Sequence, residues 1–306
     1  MPLLFHQNMW RYTGGAAAPR HNDFHARFAA FDAAHGGGQV MVCGFTEVMN
    51  NNANTRNQMS GAGGGVNLCG ALGCNFLTNI GVGQTAFTPM EYITIGVNPA
   101  ANPVLVGRLT FQPTSGGGLR LRQETVAPGA VTQAWENNFP ELADYRGIAF
   151  VILDLPTHPV RRIAVGYLHN MYSQRDNRAA TMNMLPYAAQ LMLSQFGSTG
   201  PAPATEVYIG GDFNCPAYDP RGTRRIGYIY TSSIGMTAAQ QPAPYALAAN
   251  TPAFQAGGTL WSGNLYDYWY SNRNAGLTPH LDNTTINHAA NASASMSDHC
   301  GVAVGI

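Results

Sequence analysis

Glu206-Val207-Tyr208-Ile209-Gly210-Gly211-Asp212-Phe213-Asn214 is the stretch whose reading decides the fold. Val207, Tyr208 and Ile209 favour extended chain, and the Gly210-Gly211 pair lets the backbone turn tightly beyond them. Asp212 and Asn214 then stand two apart at a strand end, on one face, with Phe213 directed to the other. A carboxylate beside an amide at such a position suits a phosphate. The acid accepts a proton or orients water, and the amide donates to a phosphoryl oxygen. An Asp-x-Asn alone is also ordinary turn chemistry, so its weight comes from the residues found elsewhere along the chain.

The bulk composition narrows the field. The chain has 306 residues, read as a single domain over 1–306. Only 10% of residues are charged, against about a quarter in ordinary domains, and the formal net charge is zero, so no global field draws the protein to nucleic acid or membrane. All 16 basic residues are arginine and none is lysine. The five cysteines, Cys43, Cys69, Cys74, Cys215 and Cys300, are an odd number without regular spacing, which argues against a disulfide framework. Cys69 and Cys74 either bridge a loop or are small buried residues. The opening residues lack a basic segment followed by an apolar core, and no apolar run is long enough to span a membrane. The chain therefore reads as cytoplasmic or exported by a route that needs no Sec signal.

In order, Leu3–Met9 reads as a strand. A helix capped by Asn22 follows, with Phe24, Phe28 and Phe31 on one face and Gly36–Gly38 as its stop. Val40–Phe45 is a buried strand that delivers Glu47 at its end. Asn50–Gly83 is polar and glycine-rich and reads as a long surface loop. Glu91–Val97, Val104–Phe111, Leu119–Thr125, Arg146–Leu155 and Arg162–His169 read as successive strands, and Ala179–Phe196 as a helix with Pro186 a blemish within it. After Glu206–Asn214 come strands at Ile226–Thr231 and Leu265–Tyr270. A loop at Thr278–Ser297 then leads through Asp298-His299 into a last strand.

Polar residues able to do chemistry recur at these strand ends: Asn8, Glu47, Glu91, His169, Asp212, Asn214, Asp267, Asp298 and His299. Their order resembles the endonuclease/exonuclease/phosphatase superfamily, from Phe5-His6-Gln7-Asn8 to Ser297-Asp298-His299. Gly211-Asp212-Phe213-Asn214 and Ser297-Asp298-His299 are its specific motifs. The resemblance implies an α+β fold, a four-layer α/β/β/α sandwich of two packed, mostly antiparallel sheets, DNase I-like. It implies Mg²⁺, with Mn²⁺ as a substitute, held by Glu47, Asn8 and Asp298, hard oxygen donors of the kind Mg²⁺ requires. His299 resembles the base that activates water, oriented by Asp267. His169 resembles a second histidine near the leaving oxygen, with Glu91 as its partner. Asp212 and Asn214 would hold the attacking water and the phosphate, and Arg146 and Asn170 would contact the substrate phosphate.

Singly, each residue has a plainer reading: a satisfied core histidine for His169, surface acids for Glu47 and Asp267, turn residues for Asn8 and Asp298. The remaining histidines, His6, His21, His25, His35, His158, His280 and His288, lack such context and read as structural or exposed. The pattern also departs from the family. Thr46 stands where glutamine often precedes the metal glutamate, and Met49 where DNase-type members often carry arginine.

The implied reaction is metal-dependent hydrolysis of a phosphodiester. Arg175, Arg178, Arg221, Arg224 and Arg225 would rim the cleft, which favours a DNase-like endonuclease of little sequence specificity acting on DNA. A phosphatase or a sphingomyelinase-like lipid phosphodiesterase is the alternative, and a non-catalytic binding module a further one. The lysine-free composition adds a bacterial toxin or effector to the expectations, because such a chain offers ubiquitin no side chain.

Overall fold

A computed structural model of the chain describes residues 1–15, 18–85, 88–113, 119–126, 146–157, 159–170, 175–194, 203–214, 266–273, 277–282, 297 and 299–306. Asp298, Cys215, Arg221, Arg224, Arg225 and the strand expected at Ile226–Thr231 lie outside the described residues.

The elements in order are β1 (Leu3–Tyr12), α1 (Ala18–Ala34), β2 (Val40–Val48), α2 (Ala53–Ser60), β3 (Asn75–Thr85), β4 (Thr88–Val97), β5 (Asn102–Pro113) and β6 (Leu119–Val126). They continue with β7 (Ile148–Leu155), β8 (Arg161–His169), α3 (Arg175–Leu193), β9 (Glu206–Asp212), β10 (Asp267–Ser271), β11 (Thr278–Asp282) and β12 (Gly301–Gly305). The strands form two six-stranded sheets, ordered β11-β12-β1-β2-β4-β3 and β10-β9-β8-β7-β5-β6. Each sheet is antiparallel except at one pair, β1 with β2 and β8 with β9. A parallel pair needs a crossover, and α1 and α3 supply the two.

Both central strands are apolar on both faces, as strands covered on two sides must be. Ile148–Leu153 of β7 is buried without a break, as is Ile163–His169 of β8. The sheets pack face to face, and α3 covers the outer face of the second through Met182, Leu185, Ala188, Ala189 and Met192. On the outer face of the first, α1 packs Phe24, Phe28 and Phe31 against Phe5 and Phe45. Phe28 stacks on Phe45 at 5.3 Å and meets Phe5 edge-on at 5.5 Å. Such pairs add about 0.5–1.5 kcal/mol each beyond the area they bury. The order of layers is helix, sheet, sheet, helix.

Three expectations are corrected. The helix α1 begins at Ala18, four residues before Asn22, so Asn22 is an exposed interior residue and not its cap. The segment expected as a long surface loop holds α2, two single-turn 3₁₀ helices and most of β3. Its Leu68, Cys69, Leu72 and Cys74 are buried against α1 and β2, an apolar set that the surrounding Asn and Gly conceal in the sequence. The tail expected as loop contains β11, paired with β12. Cys43, Cys69 and Cys74 are buried free thiols, and Cys300 is buried as well. No described helix is long and apolar enough to cross a membrane.

Gly44 shows how closely the sheets approach. A Cβ there would lie 2.3 Å from the Tyr167 ring on β8 of the facing sheet. Gly44→Val should therefore destabilise the fold by about 1–3 kcal/mol or more through overpacking. Gly15→Ala, at a position with open space around it, should leave the denaturation midpoint unchanged. Equal midpoints for the two variants would contradict this packing.

Candidate active site

Strands of a parallel pair run the same way, so both end at one edge of their sheet. Glu47, His169 and Asp212 lie at the carboxyl ends of β2, β8 and β9, and Asn8 where the pairing of β1 with β2 becomes irregular. The antiparallel neighbours β4, β10 and β12 begin at that same edge and bring Glu91, Asp267 and His299. His169 is in register with Asp212, and Asp212 with Asp267.

Glu47 is aimed by a local irregularity. Its backbone is left-handed (φ 54°), and the β2–β4 register shifts between Phe45 and Val48. Trp10 (φ 45°) and Arg11 (φ 54°) are left-handed as well, where β1 departs from β2. Such conformations cost of order 1–3 kcal/mol each and persist only when surrounding bonds hold them. Here the Trp10 N–H donates to Asn8 Oδ1 (2.8 Å) and the Arg11 N–H to Glu47 Oε2 (2.9 Å). Arg20 closes the kink from behind by donating to the carbonyls of Met9 and Trp10.

Two imidazoles face each other across Asp212. His169 Nδ1 is bonded to Glu91 Oε1 (2.7 Å), and its Nε2 lies 3.6 Å from Asp212 Oδ2. His299 Nδ1 is bonded to Asp267 Oδ2 (2.6 Å), and its Nε2 lies 3.5 Å from the same Asp212 oxygen. Each carboxylate takes the Nδ1–H, which fixes the tautomer and points Nε2 into the site. Glu91, His169, Asp212, Asp267 and His299 are all buried, so their charges act at low dielectric.

The sequence-predicted residues do not all stand as expected. Asn8 uses its amide nitrogen to bridge the two acids, donating to Glu47 Oε1 (3.2 Å) and Asp212 Oδ2 (3.0 Å). It therefore braces the acids, with its own oxygen held by Trp10. Arg146 is buried and pairs with Glu91, so its charge lies one residue behind His169. Asn214, also left-handed (φ 49°), donates from its backbone to Asp212 Oδ1 (2.8 Å) and from its side chain to the Asn170 carbonyl (2.6 Å). The Asn170 N–H in turn reaches the Asp212 carbonyl (2.8 Å). These bonds lock the strand ends that carry His169 and Asp212.

Several supports were given no role from the sequence. Ser297 Oγ donates to the Asn8 carbonyl (2.7 Å) and accepts from the His299 N–H (3.1 Å). Gln7 Nε2 donates to the His299 carbonyl (3.0 Å). His6, read from sequence as structural or exposed, is fully buried beside Asp267. The period-two alternation that puts His6 and Asn8 on one face of β1 was the available signal.

Burial alone would raise the Glu47 carboxyl. The fields of His169 and His299, with bonds from Asn8 and Arg11, outweigh it and hold the carboxyl below its usual value. Asp212 goes the other way. Burial, aided by Asp267, pushes it up to about 6 against the pull of His299 and His169. Burial holds His169 below its ordinary value despite Glu47 and Asp212. Burial also brings Arg146 down to about 10, with Glu47 opposing.

One oxygen each from Glu47 and Asp212 and one nitrogen of His169 lie within 4.8 Å of one another. Two hard carboxylate oxygens at one point, one of them kept ionised, fit a divalent cation. Asp212, expected as a catalytic acid, is thus also a candidate ligand.

A cation should therefore stabilise the protein in the absence of substrate. Mn²⁺ at a hundred times its Kd should contribute about 2.7 kcal/mol to stability, and Glu47→Gln should abolish most of the gain. The sign with pH follows from Asp212. Its raised pKa means that the cation-free fold loses stability as pH rises from the ordinary Asp range through about 6. Cation binding needs the ionised form, so the gain in Tm should grow across the same window. A gain independent of pH there would argue against Asp212 as a ligand.

No family model matches the sequence, and no curated protein matches it. Solved structures do match. The human Nocturnin catalytic domain with bound sulfate gives a TM-score of 0.55 at 13% identity, covering 99% of this chain and 93% of that one. An endonuclease/exonuclease/phosphatase family protein from Leptotrichia buccalis gives 0.53 at 12% identity, covering 100% and 99%. A mannosyl-6-phosphatase from Bacteroides thetaiotaomicron gives 0.51 at 12% identity, covering 100% and 99%. Identities this low speak to architecture and not to activity. With its two mixed sheets and their outer helices, the chain has the DNase I-like fold of the endonuclease/exonuclease/phosphatase family.

Proposed function

We propose that this chain is a divalent-metal-dependent phosphodiesterase, a DNase I-like endonuclease that hydrolyses DNA with little sequence preference. The observation that carries the reading is the pair of carboxylate-bound imidazoles whose Nε2 atoms flank Asp212 at 3.5 and 3.6 Å. Phosphodiester hydrolysis needs a base for water on one side of phosphorus and a group for the leaving oxygen on the other.

His299 Nε2 takes a proton from the attacking water while Asp267 holds the Nδ1–H and stabilises the imidazolium that forms. The new bond joins the water oxygen to phosphorus, and the ester P–O bond on the opposite side breaks. His169, braced by Glu91 and Arg146, faces the departing oxygen and relays to it, through Nε2, a proton drawn from solvent. Asn214 and Asn170 fix the strand ends against which the phosphate is seated. Glu47 and Asp212 would hold Mg²⁺ or Mn²⁺, which supplies positive charge to the phosphoryl oxygens as negative charge builds there.

Support for a polyanionic substrate comes from arginines at the open edge. Arg11 is exposed directly beside Glu47. Arg120 and Arg122 are exposed near the start of β6, which strand direction puts at the same end of the sandwich. Such residues suit backbone phosphates without reading bases. A phosphatase is the second reading, favoured by the mannosyl-6-phosphatase that shares the fold.

Purified protein with Mg²⁺ or Mn²⁺ should nick supercoiled plasmid, EDTA should stop it, and His299→Ala should lower the rate by roughly 10²–10⁴-fold. Hydrolysis of a small phosphomonoester without nicking would move the function to the phosphatase reading. Silence on every ester would favour a binding module. The lysine-free composition further suggests a toxin or effector working inside a eukaryotic cell. Exchanging exposed arginines for lysines should then shorten its half-life there, and an unchanged half-life would exclude that setting.

A further inference from the structure

His6 lies beneath the His299–Asp267 pair, and the mechanism above does not use it. It is fully buried on β1, with its ring near-parallel to Tyr167 of the facing sheet (26°, centroids 6.3 Å apart). Its Nε2 is bonded to the Thr46 hydroxyl on β2 (3.1 Å). Its Nδ1 has no hydrogen-bond partner and points at Asp267 Oδ1 from 3.8 Å. Asp267 gives its other oxygen, Oδ2, to His299 Nδ1 at 2.6 Å. Thr46, His6, Asp267 and His299 thus form one chain of polar groups, running from the interface between the sheets to the site.

We propose that His6 is a positioning residue for His299, acting through Asp267: its Nδ1–H, set by Thr46, faces Asp267 Oδ1 and holds the carboxylate in place under the His299 ring. This deepens the proposed phosphodiesterase reading and rests on it for the catalytic consequence alone. The tautomer follows from electrostatics. A neutral imidazole carries its proton on one nitrogen only. With the proton on Nε2, the Nδ1 lone pair would face the buried Asp267 carboxylate. With the proton on Nδ1, the N–H dipole faces that charge, and the rotatable Thr46 hydroxyl donates to Nε2. At low dielectric the second arrangement is favoured. Asp267 is fully buried, so its charge depends on the dipoles that surround it.

Thr46 gains a reason as well. It stands where the family resemblance leads to an expectation of glutamine, and a hydroxyl at that point sets the proton of His6. His6 and Thr46 are diagonal neighbours across the parallel β1–β2 pair, whose register puts His6 against Gly44 and Asn8 against Thr46. The two residues act as one unit.

The test uses the geometry of amides. An asparagine amide nitrogen replaces Nδ1 of histidine, and a glutamine amide nitrogen replaces Nε2. Three variants, His6→Asn, His6→Gln and His6→Leu, are compared in the full chain, with thermal melts to confirm folding. In metal-free protein with isotope-labelled histidine, the ring nitrogen signals report the His299 tautomer, assigned with His299→Gln. His6→Leu and His6→Gln should move the His299 ring signal, and His6→Asn should leave it close to the wild type. On bis-p-nitrophenyl phosphate with Mn²⁺, His6→Leu and His6→Gln should lose about 10-fold in kcat with KM unchanged, and His6→Asn should recover most of it. An unchanged ring signal in His6→Leu, or equal behaviour of the asparagine and glutamine variants, would overturn the proposal. Should His6→Leu unfold, the asparagine–glutamine comparison decides. If the wild-type protein hydrolyses no ester, the phosphodiesterase reading fails while the ring signal still decides the role of His6.

Discussion

The parallel pairing of β8 with β9 sets His169 level with Asp212, and the candidate site depends on that register. A slip of one residue would turn Asp212 to the other face of its sheet and leave His169 opposite an apolar side chain. The burial pattern resists the slip. Ile163–Leu168 and Val207–Ile209 are buried throughout, so neither strand has a polar face to exchange with water. The second parallel pair, β1 with β2, does the same for Asn8 and Glu47 in the facing sheet. Two crossovers of one kind, each ending on the same edge of the sandwich, explain why residues 39 to 204 positions apart share hydrogen bonds through Asn8.

Burial of so many ionisable groups is tolerable because they compensate one another. Glu91 lies between Arg146 and His169, Asp267 between His299 and His6, and Asp212 between the imidazoles of His169 and His299. Each acid has a positive or potentially positive neighbour, as a low-dielectric interior requires. The compensation is uneven, and chemistry follows from the unevenness. Glu47, partly open at the edge, is held ionised, whereas Asp212, sealed beneath it, is pushed to about 6. Two acids within reach of one cation therefore differ in how readily they give up a proton, a common arrangement where protons are moved.

Four left-handed residues, Trp10, Arg11, Glu47 and Asn214, lie at this edge. None of the first three is a residue type that adopts the conformation readily. Their strain is held by bonds to the very side chains that form the site, so the backbone and the chemistry are stabilised together. The same irregularities lift Glu47 out of the alternation of β2 and aim it inward, where a regular strand would direct it towards α1.

The sequence by itself determined the strands with continuous apolar runs and the acids, amides and histidines at strand ends, because those signals are local. It also carried the order of motifs from which the fold was expected. It misread Asn50–Gly83, where buried Leu68, Cys69, Leu72 and Cys74 are interspersed with polar residues and have no period, and it placed the start of α1 on a good cap that the chain does not use. Tertiary structure alone decided how the residues act. Asn8 became a brace once its amide met two acids from different strands. Arg146 became the partner of Glu91, and His6 came to lie behind Asp267. Those outcomes depend on which strands pair and in what register, and contacts between residues 39 or more positions apart leave no periodicity for a local reading to find.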